Sequence, residues 1–182
     1  GITKMVVQLT KQAFAFAFDR ATGEPIWPIE EHPVPQSTTP GEKTSPTQPF
    51  PTKPPAFDRQ GATVENLIDF TPELHKEALE IVSQYTIGSM FMPPTVRTET
   101  NLGTIQLPGS QGGADVQGGA FDPDSGYMYV PSITAPFVAD IIDGNPDRTN
   151  LRYVKGRRLW IGGPRGLPLF KPPYGRITAF DM

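Results

Sequence analysis

Three of the four Ala-Phe-Asp tripeptides in this chain end segments that predict strands, and these three copies lie at residues 17–19, 120–122 and 179–181. After each of the first two copies, a glycine follows the aspartate by four residues. Aspartate accepts hydrogen bonds from its own turn and glycine tolerates a positive φ, so both copies predict a strand that ends in a tight turn. A strand and turn that recur along a chain are typical of a repeat architecture.

The first copy lies in a segment that predicts a pair of strands, at residues 2–9 and 13–19. Phenylalanine alternates with alanine over residues 13–18. A period of two therefore places three rings on one face of the strand and three methyl groups on the other. We expect the small face to pack closely against a neighbouring sheet. Other strands are predicted at residues 104–107, 119–121, 127–130, 159–161 and 176–180, the second and third of them as a hairpin.

A proline-rich stretch separates these strands. Eight prolines fall between residues 33 and 55. They exclude a regular helix or a central strand, so residues 31–60 are predicted to be a long loop. Phe50 and Phe57 would pack this loop onto a surface.

One helical insert is predicted, over about residues 63–87. Thr71 suits the N-cap and Pro72 suits the first helical position. Gly88 is expected to end the helix. Apolar residues at helical spacing mark the buried face, and these are Leu74, Ala78, Ile81, Val82 and Tyr85.

Composition excludes several classes of function. The net charge is -3 over 182 residues, which gives no electrostatic footprint for nucleic acid. The absence of cysteine excludes disulfides and thiolate zinc sites. The two histidines, His32 and His75, do not form a metal-ligand or catalytic pattern, so no metal site is predicted within the chain.

Two features leave both a structural and a functional interpretation open. Lys11 directly precedes an otherwise apolar strand, where it is either a solvated lysine or a cation directed at an anionic or carbonyl-rich ligand. Residues 109–119 are rich in glycine but lack the Gly-Lys-Ser/Thr ending of a phosphate-binding loop. Those glycines either form turns or permit close approach to a flat ligand.

Several long and compositionally unusual segments resemble the pyrroloquinoline quinone (PQQ)-dependent dehydrogenases, especially the glucose dehydrogenase-like branch. Together they cover nearly the whole chain. They comprise residues 10–12, 18–25, 33–37, 40–51, 69–74, 120–123, 129–132, 166–169 and 171–179.

The resemblance implies an all-β fold, an eight-bladed β-propeller in the full protein. Since one blade takes about 40–50 residues, residues 1–182 would be a partial PQQ-binding propeller of about three antiparallel blades with long Pro/Gly loops and one short helix. The rest of the propeller, or another copy, would cover the open blade edges. PQQ is expected to lie near the central axis over a bound Ca²⁺.

The resemblance also implies site residues. Lys11 matches the family lysine that contacts the reactive carbonyl region of PQQ, and there it would stabilise developing negative charge. Ser132 falls where relatives place a cofactor-pocket Asn or Thr. Asp115 is a third cofactor-binding candidate. Here the chain departs from the family pattern, since many relatives have Asn-Trp or Glu-Trp where it has Asp115-Val116, so either a pocket-wall ring is lost or this branch packs the site differently. The general-base Asp and the Ca²⁺ ligands are expected upstream of Lys11, outside this chain.

The implied activity is oxidation of a sugar or alcohol by hydride transfer to PQQ C5, with a quinone or cytochrome as electron acceptor. The implied location is the periplasm, with attachment to the inner membrane through a segment that precedes Gly1. Two alternatives stay open: a non-enzymatic propeller that serves as a binding scaffold, and a structural remnant that binds nothing.

Overall fold

The computed structural model describes residues 3–114, 117–157 and 159–182, and shows fourteen strands and one α-helix there. The predicted all-β class with one short helix is confirmed. Short 3₁₀ turns lie at Val64–Asn66 and Pro164–Gly166. The helix α1 is Pro72–Val82, and the strands are β1 Met5–Leu9, β2 Ala15–Asp19, β3 Ile29–Pro33, β4 Thr47–Pro51, β5 Gly61–Ala62, β6 Gly88–Ser89, β7 Thr95–Val96, β8 Thr104–Gln106, β9 Ala120–Asp122, β10 Tyr127–Ile133, β11 Phe137–Asp143, β12 Tyr153–Lys155, β13 Leu159–Trp160 and β14 Gly175–Asp181.

The repeated Ala-Phe-Asp segments form the predicted strand ends and turns. β1 pairs antiparallel with β2, and β9 pairs antiparallel with β10. In both turns the aspartate carboxylate accepts a backbone N–H two residues on, and the glycine N–H donates to the aspartate carbonyl. Gly23 and Gly126 have φ of 78° and 76°. Similar local chemistry therefore forms two distant turns: one follows β2 and returns the chain to a Phe18–Pro25 bridge, and the other joins β9 to β10.

Two sheets share the first of two cores. The β1–β2 hairpin and the sheet of order β14–β10–β9 meet through Ala15 of β2, Met128 and Val130 of β10, and Phe180 of β14. Phe57 from the proline-rich segment completes this core. The predicted packing of the alanine face is confirmed, since the small side chains of β2 allow the close approach.

The proline-rich segment contains a two-stranded ribbon, where the sequence predicted only a loop. β3 and β4 pair antiparallel, with Val34 N–H bonded to Pro46 O at one end and Thr52 N–H to Pro28 O at the other. Bonded and non-bonded pairs alternate along an antiparallel ladder. The three ribbon prolines all fall in non-bonded pairs, where no N–H is needed, and these are Pro33, Pro49 and Pro51.

The helix begins where predicted and ends earlier. Thr71 Oγ1 accepts a hydrogen bond from Leu74 N–H at 3.3 Å, and Pro72 is the first helical residue. The helix ends at Val82, six residues before Gly88, because Thr86 is drawn into a bridge with Thr104 of β8. The 3₁₀ turn at Val64–Asn66 accounts for the start of the predicted 63–87 insert.

The second core lies between α1 and a sheet centred on β11. The first half of β11 pairs antiparallel with β8 and β13, and its second half pairs with β12 and, in parallel, with β7. Helix residues Ala78 and Val82 pack there against Ile105 and Val138. None of the helices in the described residues is long and apolar enough to cross a membrane.

Candidate functional site

Lys11 lies at the exposed tip of the β1–β2 hairpin, and Thr10 closes the turn behind it. Thr10 N–H donates to Phe14 O at 2.9 Å, and Ala13 N–H donates to Thr10 O at 3.0 Å. Thr10 Oγ1 also donates to Phe14 O at 3.0 Å. Ala13 is fully buried and has a φ of 63°, a left-handed conformation that L-residues rarely adopt. Lys11 therefore lies in a tight turn whose conformation is fixed by hydrogen bonds between its neighbours Thr10, Ala13 and Phe14.

The three consecutive carbonyls of the tip each accept a hydrogen bond from a distant segment. Gly113 N–H donates to Lys11 O at 3.0 Å, and Phe57 N–H donates to Ala13 O at 3.0 Å. Between them, Gln60 Nε2 donates to Gln12 O at 2.7 Å. The backbone under the lysine is thus fixed from outside the hairpin while its side chain remains exposed to solvent.

The glycine-rich stretch makes its close approach to this tip. A Cβ on Gly112 would lie 2.7 Å from Cα, Cβ and Cγ of Lys11, and one on Gly113 would lie 2.7 Å from Cβ of Ala13. Lys11 Nζ donates to Ser110 O at 3.4 Å. The glycines therefore let the 109–114 backbone lie directly against the lysine. Asp115, predicted in the same stretch, lies outside the described residues.

Ser132 is buried on β10 and reaches Lys11 only through an intermediate residue. Its Oγ donates to Phe57 O at 3.3 Å, and Thr178 Oγ1 of β14 donates to the same carbonyl at 3.4 Å. Phe57 in turn holds Ala13 through its N–H. The structure therefore connects two of the predicted site residues, Lys11 and Ser132, through the backbone of Phe57.

Next to Phe57 is a buried charge cluster that the sequence analysis did not identify. Arg176 Nη1 donates to Oδ1 of Asp58, and Arg176 Nη2 donates to Thr134 Oγ1 at 3.0 Å. Arg59 Nη2 donates to the carbonyls of Lys171 and Pro172 at 2.7 and 2.9 Å. Burial lowers the pKa of Arg59, and the neighbouring positive charge of Arg176 lowers it further. The cluster anchors residues 57–60 to the strand β14 and the segment that precedes it.

The histidines have structural contacts. His75, on the helix α1, is half-buried, and its Nδ1 lies 3.1 Å from Ile68 O. His32 is exposed and lies over the Phe50 ring, with centroids 4.9 Å apart. Within residues 3–114, 117–157 and 159–182, no group of three or more His, Cys, Asp or Glu side chains could hold a metal ion.

Two open clefts flank this region. One of about 580 Å³ lies between residues 39–42 and the strands β11 and β12, and another of about 1090 Å³ runs along β1 and β9. Neither is lined by Lys11 or Ser132. The arrangement around Lys11 is therefore a fixed cation at a surface, which is chemically suited to an anionic or carbonyl-bearing group.

Three known dehydrogenases are similar to this chain over nearly its whole length. The chain is 26% identical over 202 residues to the quinate/shikimate dehydrogenase (quinone) of Acinetobacter baylyi, covering 100% of this chain and 24% of the relative. It is 29% identical to the glycerol dehydrogenase large subunit of Gluconobacter oxydans, covering 97% and 27%. It is 33% identical to the quinoprotein glucose dehydrogenase A of Acinetobacter calcoaceticus, covering 96% and 24%.

The chain thus spans about a quarter of the length of these curated relatives. No solved structure gives a significant match. The family model described as "PQQ: Glucose/ethanol/alcohol dehydrogenase, beta-propeller domain" matches residues 1–182. Since that match covers every residue, the chain belongs to this β-propeller family of PQQ-dependent dehydrogenases, of which its antiparallel sheets form a partial propeller.

Proposed function

We propose that this chain is a segment of a PQQ-dependent dehydrogenase that oxidises a sugar or an alcohol, with Lys11 as the residue that contacts the reactive carbonyl region of PQQ. The observation that carries the proposal is the tip of the β1–β2 hairpin. There the lysine side chain is exposed while the carbonyls of Lys11, Gln12 and Ala13 are all hydrogen-bonded to other segments. A cation on a fixed backbone suits a cofactor that carries carbonyl oxygens and carboxylates.

Lys11 would act as an electrophilic partner. PQQ, when bound, supplies the two-electron oxidation and accepts the hydride equivalent. The lysine ammonium would stabilise the negative charge that develops on the adjacent oxygens, and because its backbone is already held, little reorganisation is needed. Removal of one such preorganised donor typically lowers kcat about a hundredfold to a thousandfold.

Ser132 and Asp115 are the other cofactor-pocket residues of this proposal. Ser132 is buried beneath the tip, and its hydroxyl holds the Phe57 carbonyl, so any contribution from it passes through the hairpin support. The general-base Asp and a Ca²⁺ ion belong, in this proposal, to residues outside this chain. A quinone or cytochrome would accept the electrons, and the protein would work in the periplasm, attached to the inner membrane.

An exposed apolar sheet face supports the view that further blades cover this segment. Ile133 of β10 is 49% exposed and Ile177 of β14 is 73% exposed, although alternate residues of β10 and Phe180 of β14 are buried in the core. Tyr127 and Tyr129 of β10 are also about 40% exposed, and a large exposed apolar patch of this kind marks an interaction surface. A neighbouring blade of the longer protein is the proposed occupant.

The test uses the complete reading frame that carries this chain. The apoprotein is titrated with PQQ in the presence of Ca²⁺, and a panel of sugars and alcohols is then assayed with an artificial dye as electron acceptor. Lys11→Ala should lower kcat about a hundredfold or more with an unchanged thermal midpoint. Lys4→Ala, which removes another exposed lysine on the same hairpin, is the control. Full activity of Lys11→Ala would remove this lysine from the mechanism.

The same titration separates the enzyme from a non-enzymatic propeller scaffold. A folded protein that binds no PQQ in the presence of Ca²⁺ would favour the scaffold, since the fold alone does not determine the function.

A further inference from the structure

Only one of the three hydrogen bonds that hold the tip comes from a side chain. Gly113 and Phe57 donate backbone N–H groups to Lys11 O and Ala13 O, whereas Gln12 O accepts from the amide of Gln60 at 2.7 Å. Gln12 directly follows Lys11 in the chain. Because its carbonyl accepts from a side chain, this hydrogen bond depends on which residue stands at position 60.

Gln60 is held rigidly enough to fix that contact. Its Nε2 also lies 3.3 Å from Asp58 O, so both amide hydrogens face carbonyls and the amide has a single favourable orientation. The two residues before it are anchored separately: Asp58 by Arg176, and Arg59 by the carbonyls of Lys171 and Pro172. The half-buried Gln60 side chain therefore projects from a fixed backbone.

The tip needs this external support because its own conformation is strained. Ala13 has a φ of 63°, a left-handed conformation that is unfavourable for an L-residue compared with a right-handed one. Turns of this kind persist when surrounding contacts determine them. Loss of the Gln60 contact would leave the Gln12 carbonyl without its protein donor and allow the tip to relax.

We infer that Gln60 is a positioning residue for Lys11: its amide holds the Gln12 carbonyl and thereby fixes where the lysine ammonium lies. The inference rests on the proposed function of Lys11 for its catalytic consequence. The structural part of the inference, that Gln60 fixes the tip, depends only on the hydrogen bonds of the Gln60 amide.

The experiment replaces Gln60 in the complete protein with Glu, which has the same shape but no amide donor, and with Met, which adds no charge. Gln8→Glu is the matched control, because Gln8 lies on the same hairpin, is exposed, and its side-chain amide donates to the neighbouring Leu9 carbonyl and not to the tip residue Gln12. The first readout is amide hydrogen exchange of residues 9–14 in the apoprotein. Both Gln60 variants should accelerate this exchange about tenfold, and Gln8→Glu should not.

The second readout is a double-mutant cycle with Lys11→Ala. Gln60→Met should lower kcat/KM about tenfold when Lys11 is present, because a small misplacement of a catalytic group is costly, and should have no further effect in the Lys11→Ala background. A PQQ titration of each apoprotein gives the corresponding change in affinity.

The outcomes separate the two proposals. Unchanged exchange at residues 9–14 in both Gln60 variants would overturn the inference, whatever the activity. An equal loss of kcat/KM with and without Lys11 would overturn it also, since Gln60 would then act by another route. If Lys11→Ala alone changes neither PQQ affinity nor kcat, the proposed function of Lys11 fails, and the exchange data still decide whether Gln60 fixes the tip.

Discussion

Arg176 donates a hydrogen bond to Asp58 across 118 residues of sequence, and the pair fastens the end of the proline-rich segment to strand β14. The Asp58 side chain is 1% exposed and that of Arg176 is 19% exposed. Asp58 also accepts from Arg59 N–H at 2.7 Å and from Thr134 Oγ1 at 3.3 Å. The residues that support the hairpin tip therefore begin at a buried, hydrogen-bonded ion pair.

Breaking this pair should be costly. Asp58→Asn would leave the Arg176 guanidinium without its counter-charge. We expect the free energy of unfolding to fall by about 3 kcal/mol. This value is at the lower end of the range for buried ion pairs, because Arg176 keeps some contact with water. Urea unfolding of the complete protein measures it. The exposed pair of Lys171 and Asp69 is the control, and Asp69→Asn should cost less than about 1 kcal/mol. Equal losses would show that the burial of Asp58 does not matter.

A methyl group at Gly112 should displace Lys11. The added Cβ would lie 2.7 Å from three atoms of the lysine, and Gly112 also has a φ of 85°. Gly112→Ala should weaken PQQ binding by about tenfold or more in a titration of the apoprotein. Gly118→Ala has similar backbone strain, with a φ of 60°, but its Cβ would meet no atom within 4 Å. If the two variants bind PQQ equally well, contact with Lys11 is not the cause.

Because Ala13 has a left-handed conformation, we expect two substitutions at this position to have different effects on stability. Ala13→Gly relieves the strain but loses a small buried methyl group, so its stability should stay within about 1 kcal/mol of the original. Ala13→Val adds a branched side chain where φ is 63° and the site is fully buried, and should cost more than about 2 kcal/mol. Thermal unfolding of both variants checks this. A stable Ala13→Val protein would mean that the turn adopts another conformation.

The aspartates of the repeated turns should make stability depend on acid pH. Hydrogen bonds from the backbone of Ala21 and Thr22 lower the pKa of Asp19 below its ordinary 3.8, and bonds from Ser125 and then Asp124 lower the pKa of Asp122. A depressed folded-state pKa stabilises the protein above the unfolded value, and this contribution is lost as the pH falls through the folded value.

Asp19→Asn keeps the acceptor oxygen and removes the charge. Urea midpoints should therefore differ between this variant and the original protein at pH 6, and the difference should shrink as the pH falls below about 3.8, the ordinary pKa of the carboxyl. Asp143→Asn, at the exposed end of β11, is the control. A gap that stays constant down to pH 2 would contradict the role of the charge.

Local chemistry explains which parts of the fold could be predicted. The Asp-x-x-x-Gly turns and the Thr71–Pro72 helix start depend on residues within four positions of one another, and both are confirmed. The sequence predicts that the helix ends at Gly88, but it ends at Val82. The chain beyond Val82 pairs with β8, and no pattern within the local sequence indicates this contact. The prolines predict a loop because they exclude a regular helix or a central strand, yet the β3–β4 ribbon forms because its prolines lie where no N–H is required.

The site was predicted only in part for a similar reason. Lys11 stood out through its position before an apolar strand and its family motif. Gln60 and Asp58 carry no such local signal, because their partners lie 48 and 118 residues away in the sequence. The placement of Lys11 against PQQ, and the roles of Ser132 and Asp115, remain predictions.

The prolines of the β3–β4 ribbon have a consequence for association between molecules. Residues in non-bonded pairs direct their backbone groups away from the partner strand, so Pro33, Pro49 and Pro51 all face the outer rims. Ile29 and Glu31 of β3 and Thr47 of β4 keep outward N–H groups, but a rim with fewer donors is a poorer template for an incoming strand. The prolines therefore make this two-stranded ribbon less able to pair edge to edge with a strand of another molecule.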